Sequence, residues 1–571
     1  MERTKQIAFL FLLVSLTSCN DSTSSEVSNT ETTNTDDTRV NYYHLVHMGQ
    51  SLASGEESLP LISTNGSTYN NLMFSMGTQT WPYDENRSTP SLRDDENFEL
   101  VPLKATQRRA EGESIASGYA DHLMDTLTHK NIIEPTDSFI FSFAGQGGRM
   151  LRELDKRHDD AADRRSGSDW SGGGYYITSI DDVKRTKQKA DSLGYNYEVV
   201  AVSWMQGESQ ANGEINRWDS KLDKDAFVET YKADLINLKE DYNTDIKYIT
   251  GQSKRVNLFS SQTQAYLPGL AQVQAANEDR EIHMVSPTYF LPSAVNSIYK
   301  NVNDPSDEDV YNGADIHLSS DGQRWLGELF AKVVRKVIFE NQSWTPLSPK
   351  KASLSSDRKN IQVQFFVPTP PLVLDDTFLP NQGGTYGFEV EDDQGNLVGI
   401  SSVSVIGQDY INIELEETVS PQKSVFVNYG VNSNVGRSQP TIVDVGKNKV
   451  CSSREDREYL KLNNATQEIN ALANEGKFYV TSGNNKITVD RVCNEGVFLL
   501  LRLSNKSSLG SEFSAGMKVK LSRIYNYGNL RDSDSEQSTY QFSDSGYGNR
   551  QFDYYPLWNW GLVFRSFPVN E

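Results

Sequence analysis

Between residues 40 and 345 the chain alternates short apolar runs with amphipathic stretches, and that rhythm limits the folds open to it. The strand-like runs are 41–48, 137–143, 197–205, 245–250 and 281–286. Several are continuously apolar rather than alternating, as expected of strands covered on both faces. Between them, 114–128, 178–193, 223–240 and 268–279 read as helices, and the clearest is 322–339. There Trp325, Leu326, Leu329, Phe330, Val333, Val334, Val337 and Ile338 form one apolar stripe at helical spacing, which is a core face and not a cofactor site. Strand–helix alternation of this length predicts an α/β domain with a parallel sheet and helices on both faces. Sites in such sheets form beyond the carboxyl ends of the strands. The polar segments 60–110 and 152–175 read as long surface loops around that site.

After about 345 the character changes. Pro346, Pro349 and a Lys/Ser run suggest a linker, and then come short alternating or β-branched runs at 360–367, 386–391, 398–406, 410–415 and 424–429, separated by turns such as Asp393-Gln394-Gly395-Asn396. These predict a C-terminal all-β, sandwich-like module over 346–571. Residues 450–525, with one helical stretch at 464–474, read as an inserted subdomain or a third small domain. The aromatic tail Tyr555-Pro556-Leu557-Trp558-Asn559-Trp560 is expected in a core or a seam between domains, with a sugar-stacking surface as the alternative.

The N-terminus reads as a targeting segment. Arg3 and Lys5 precede the apolar run Ile7–Leu16, which is too short to span a bilayer. Leu16-Thr17-Ser18-Cys19 resembles a bacterial lipobox, which implies lipidation of Cys19 and an exported, membrane-anchored lipoprotein, periplasmic or at the cell surface. Residues 20–40 are polar and read as a flexible tether. Removing Cys19 leaves Cys451 and Cys493, an even pair compatible with one disulfide or with two free buried thiols. The net charge of −22 argues against nucleic acid as a partner, since phosphate binding needs a basic surface. Neither zinc-ligand spacing nor a phosphate-binding glycine motif occurs, so no metal and no cofactor is expected.

Four stretches carry candidate chemistry. In Leu45-Val46-His47-Met48-Gly49-Gln50-Ser51-Leu52-Ala53-Ser54-Gly55 a buried strand stops in a small-residue loop, and Ser51 stands just past its end as a nucleophile would. Phe143-Ala144-Gly145-Gln146-Gly147-Gly148-Arg149 leaves a second strand, and bare backbone N–H groups at Gly147 and Gly148 suit an oxyanion. Trp204-Met205-Gln206-Gly207-Glu208-Ser209 leaves a third strand, bringing a neutral amide donor, Gln206, and a carboxylate, Glu208, to one loop tip. Gly313-Ala314-Asp315-Ile316-His317-Leu318 precedes the strongest helix, so His317 is the candidate base and Asp315 its candidate acid. Each block alone is ordinary turn chemistry after a strand.

In this order the four blocks resemble the SGNH/GDSL hydrolase superfamily, closest to its carbohydrate-esterase branch of sialate O-acetylesterases. The resemblance spans about residues 41–340. It implies a flavodoxin-like three-layer α/β/α domain over 41–345 and metal-free removal of acetyl groups from sugars, the acetylated carbohydrate being the partner. It matches Ser51 to the nucleophile, His317 to the base, Asp315 to the acid, and Gln206 with Gly147, Gly148 and the Ser51 backbone to the oxyanion hole. Leu52 and Met205 depart from the family's usual Asn and His, and Asp-x-His replaces the commoner Asp-x-x-His. The supporting carboxylate is therefore open between Asp315 and Glu208, with a Ser–His dyad as the third case. The competing functions are an inactive glycan-binding lipoprotein and a lipase or thioesterase on the same fold. The polar, Asn/Asp-rich loops disfavour the last, because acyl-chain sites are lined by apolar side chains.

Overall fold

The computed structural model describes residues 39–80, 98–107, 111–159, 174–210, 224–264, 266–294, 317–379, 384–431, 440–451, 456–463, 478–482, 485–495, 498–503, 509–511, 513–523, 527–543 and 553–571. Cys19, Asp315 and the helical stretch expected at 464–474 lie outside them. Among the described residues no helix is long and apolar enough to cross a membrane.

The first sheet has seven strands. They are β1 (Asn41–Gly49), β2 (Leu72–Phe74), β3 (Leu100–Pro102), β4 (Ser138–Phe143), β5 (Asn196–Met205), β6 (Asn257–Gln262) and β7 (Ile282–Pro287), in spatial order β3-β2-β4-β1-β5-β6-β7. β3 runs antiparallel to β2, and the other neighbours are parallel. The helices are α1 (Ser51–Ser54), α2 (Ala116–His129), α3 (Leu151–Leu154), α4 (Tyr175–Leu193), α5 (Glu208–Gln210), α6 (Lys224–Thr250), α7 (Tyr266–Glu278) and α8 (Ser320–Val334). α8 runs on into a wider π turn over Arg335–Phe339.

β1 is central and its register explains its unbroken apolarity. Leu45 pairs with Phe141 on one side and Ala201 on the other, and all three share a core with Tyr119 and Leu123 of α2 and Leu326 and Phe330 of α8. Val46 and Met48 point the other way, into a core with Val202, Trp204, Val183 of α4, Leu235 and Tyr242 of α6 and Ala271 of α7. Both faces are thus covered, which removes any period-two signal. The chain winds from β1 to β4 on one side, then crosses to β5 on the other. The carboxyl ends of β1 and β5 therefore flank the point where the strand order reverses, and crevices in open α/β sheets form there.

Two expectations are corrected. The strand expected at 245–250 is the last part of α6, and the strand is Asn257–Gln262. Ile246 is buried and Tyr248, two positions on, is 91% exposed, whereas a strand would put both on one face. The same residues fit a helix, because Ile246 continues the buried face of Leu235, Leu238 and Tyr242. The segment 60–110 is not all loop, since it supplies β2 and β3 to one edge of the sheet.

The C-terminal region is β-rich. Its eight-stranded sheet runs in the order Leu397–Val398, Phe388–Asp392, Val425–Tyr429, Phe564–Asn570, Ser348–Leu354, Asn360–Phe366, Tyr410–Leu415, Ile400–Ile406. Ile361, Val363, Ile411 and Ile413 from one half share a core with Phe388, Val390, Val425 and Val427 from the other. In Asn360–Phe366 the buried residues are Ile361, Val363 and Phe365, the period of two that marks a strand with one wet face. After Tyr429 the chain builds a six-stranded sheet within 442–523 that has its own core, including Ile442, Leu460, Val489, Leu501 and Val519. A Cys451–Cys493 disulfide lies there. The chain then returns across α8, where Trp325 stacks on Tyr555 and its Nε1 donates to the Pro556 carbonyl at 3.0 Å. Near residue 345 Leu347 is buried, and Trp344 Nε1 donates to the Met284 carbonyl at 2.8 Å. By its contacts Val40–Glu571 forms one unit.

Candidate active site

The tips of β1 and β5 touch. A Cβ on Gly49 would stand 2.1 Å from the Met205 carbonyl oxygen, and Gly49 has φ +150°, so only glycine fits. Gln50 N–H donates to that same carbonyl at 3.0 Å. The Gln50 side chain then locks the β5 loop: its Nε2 donates to Glu208 Oε2 at 3.0 Å, and its Oε1 accepts from the Ser209 N–H at 2.9 Å. Ser51 opens the single-turn helix α1, with only 7% of its surface open. The Ser51 carbonyl accepts from Ser54 Oγ at 2.9 Å and from the Glu56 N–H at 3.0 Å, so the turn is closed on itself.

His317 stands immediately before α8, and its Nδ1 lies 2.8 Å from Glu57 Oε2, both side chains being buried. A carboxylate accepts from Nδ1–H, which leaves Nε2 with its lone pair free. Around this pair the 51–60 segment and the start of α8 are stitched together. Ser58 Oγ donates to the Leu318 carbonyl at 2.6 Å, Ser320 Oγ to the Pro60 carbonyl at 2.6 Å, and Gln323 Nε2 to the Leu52 carbonyl at 2.7 Å. Glu57 holds φ +63°, a left-handed backbone that is uncommon outside glycine and collects at functional sites. Sequence reasoning missed Glu57. The only trace of it is a pair of consecutive glutamates, Glu56 and Glu57, right after the strand-tip turn.

Glu208 is buried, and its carboxylate is taken by Gln50 and by the Thr263 hydroxyl. Burial pushes its carboxyl up from the ordinary range. It braces the loop, and among the described residues the carboxylate at His317 Nδ1 is that of Glu57. Gln206 is also held: its Oε1 accepts from Tyr231 Oη at 2.6 Å, and its Nε2 donates to the Arg149 carbonyl at 3.1 Å, joining the β5 loop to the β4 loop. Gly147 of that β4 loop lies against the serine, since a Cβ there would meet Ser51 Cβ at 3.3 Å and Glu56 Oε2 at 2.5 Å. Gly148 has φ +77° and open space around it. The loops after β1, β4 and β5 therefore meet in one place, and the 51–60 segment carries the His317 contact.

The surrounding side chains are polar. Gln79 Nε2 lies 3.3 Å from Glu111 Oε1, Arg149 Nε donates to Tyr175 Oη at 3.0 Å, and Tyr175 Oη donates to Gln146 Oε1. Burial raises the Tyr175 phenol, while the Arg149 guanidinium opposes that rise.

No protein-family model matches the chain, and no curated protein does. Among solved structures, that of a carbohydrate acetylesterase from Xanthomonas citri aligns at 12% identity, over 68% of this chain and 75% of its own, with a TM-score of 0.42. That of NanS aligns at 18% identity, over 52% of this chain and 97% of its own, with a TM-score of 0.33.

Proposed function

We propose that the chain is a serine esterase that removes acetyl groups from carbohydrates. The observation that carries the reading is the buried pair in which His317 Nδ1 lies 2.8 Å from Glu57 Oε2, Glu57 being on the short segment that begins with Ser51. Ser51 Oγ attacks the acetyl carbonyl carbon as His317 Nε2 takes its proton. Glu57 fixes the imidazole tautomer and stabilises the imidazolium that forms. The oxyanion is met by backbone N–H groups of Ser51 and of Gly147 or Gly148, with Gln206 as the side-chain donor. The imidazolium returns the proton to the sugar oxygen as it leaves, and water then hydrolyses the acetyl-serine by the same steps. The four ordered sequence blocks and the polar surroundings of Gln79, Glu111, Gln146, Arg149 and Tyr175 support a hydroxyl-rich substrate over an acyl chain.

The test is acetate release from p-nitrophenyl acetate, acetylated xylan and O-acetylated sialic acid by wild type, Ser51→Ala and His317→Ala. Each substitution is expected to lower kcat/KM roughly 10,000-fold or more. A Ser51→Ala protein that keeps a tenth of wild-type turnover would overturn the assignment.

A further inference from the structure

We infer that Glu56 is a substrate-binding residue whose carboxylate accepts a hydrogen bond from the sugar hydroxyl next to the acetyl ester. This rests on the esterase reading above and narrows it to sugars that keep that hydroxyl free.

Among the described residues, the carboxylates of Glu57, Glu111, Glu113 and Glu208 near the strand tips each have a partner. Glu57 takes His317, and Glu208 takes Gln50 and Thr263. Glu113 accepts from the Ile62 and Ser63 N–H groups at 3.0 and 3.1 Å, and Glu111 lies 3.3 Å from Gln79 Nε2. Glu56 differs. Its backbone N–H caps the Ser51 turn, but among the described residues its carboxylate makes no hydrogen bond and no ion pair. The side chain is half-buried, so solvent and ligand reach it. It lies beside Gly147: Oε2 and Ser51 Cβ both crowd the one point where a Cβ on that glycine would stand. The left-handed backbone at Glu57 sends the two consecutive side chains to different partners, one to the histidine and one to the glycine loop beside the serine.

A partly buried carboxylate without a partner is costly in the free protein and gains from a donor that arrives with the ligand. Burial holds its carboxyl above the usual range, with the opposing influence of His317 and the reinforcing charge of Glu57. Glu56 Oε2 and Ser51 Cβ lie 2.5 and 3.3 Å from the same point beside Gly147, so a hydroxyl on the ring carbon next to an ester held at Ser51 is within reach of this carboxylate. A sugar hydroxyl donating to a carboxylate is a charge-assisted hydrogen bond.

The experiment compares kcat/KM for methyl 2-O-acetyl- and 3-O-acetyl-β-D-xylopyranosides with analogues deoxygenated at the hydroxyl next to the ester. Wild type is expected to favour the hydroxyl-bearing ester by about 10- to 100-fold. Glu56→Ala should bring that ratio near one, and Glu56→Gln, which keeps an acceptor oxygen, should retain part of it. Because the ratio is internal to each protein, lost folding or lost active fraction cancels. A ratio unchanged by Glu56→Ala overturns the inference. So does a wild-type protein that cleaves p-nitrophenyl acetate but shows no preference for the hydroxyl-bearing xylosides; both outcomes leave the esterase reading in place. Wild type inactive on every acetyl ester removes that reading, and this inference with it.

Discussion

At the residue scale the open question is which carboxylate serves His317. Sequence spacing points to Asp315 or Glu208, yet Glu208 is committed to Gln50 and Thr263, and Glu57 meets Nδ1 at 2.8 Å. Glu57→Gln keeps the shape but offers an amide where a carboxylate held the imidazole, so the favoured tautomer and the stabilised imidazolium are both lost. Its kcat is expected to fall by roughly 100- to 10,000-fold. Asp315→Asn is expected to stay within about threefold of wild type, since Nδ1 already has the Glu57 carboxylate to fix its tautomer. Steady-state kinetics of the two variants on p-nitrophenyl acetate separate them, and the reverse ranking would return the acid to Asp315. Ser51 and His317 stand out as candidates in the sequence because a serine at a strand tip and a histidine before a strong helix leave local marks. Glu57 does not, because its partner is 260 positions away and nothing periodic announces it.

At the element scale α8 shows what a hydrophobic stripe conceals. The stripe of Trp325, Leu326, Leu329, Phe330, Val333 and Val334 packs in the sheet core as read from its spacing. Its polar face is buried too, because the returning C-terminal segment covers it. Lys332 Nζ donates to the Leu557 carbonyl at 2.5 Å and lies 2.7 Å from Asp534 Oδ2, and Arg335 grips Glu536 at 2.7 and 2.8 Å. Within this seam Glu328 is buried, accepts from Ser538 Oγ at 2.6 Å, and has His122 Nδ1 3.5 Å away. Burial pushes its carboxyl up to about 7, against the charges of His122 and Arg324 and with that of Asp121. The folded state then holds a proton that the unfolded chain releases near its ordinary 4.5. Stability from this group is present below about pH 4.5 and lost as pH rises to about 7, an effect on the order of 3 kcal/mol. Denaturant melts of wild type and Glu328→Gln from pH 5 to 8 should show the variant gaining on wild type across that interval and levelling above it. A difference independent of pH would show that Glu328 does not titrate there.

For the whole molecule, the chain from Val40 to Glu571 closes on itself. The last strand, Phe564–Asn570, sits between Val425–Tyr429 and Ser348–Leu354, while Tyr555, Leu557, Trp558 and Trp560 fill the core around α2 and α8. A fragment spanning 40–345 would bare that aromatic core and leave Lys332 and Arg335 without Asp534 and Glu536. It is expected to be insoluble or molten by near-ultraviolet circular dichroism, and a cooperatively melting, active fragment would contradict this. The six-stranded unit within 442–523 is different, having its own core and the Cys451–Cys493 bridge across 42 positions. Reduction, or Cys451→Ser with Cys493→Ser, is expected to cost that unit about 2–4 kcal/mol while esterase turnover stays within about twofold. Calorimetry should show an early transition moving alone. A parallel loss of activity would couple the unit to the site.

The sequence by itself determined the strand–helix alternation, the apolar stripe of α8, the change to short strands after about 345, and four polar loops in order. All of these are local patterns, readable because side-chain period and turn chemistry repeat within a few residues. Tertiary structure decided the rest: that residues 245–250 finish a helix, that Glu57 meets His317, that the Glu56 carboxylate stands beside Gly147 and Ser51 with no hydrogen bond among the described residues, and that a segment more than 200 positions later buries the polar face of α8. Each of these depends on which surfaces meet in space, and contacts of long sequence separation leave no periodicity in the chain to be read.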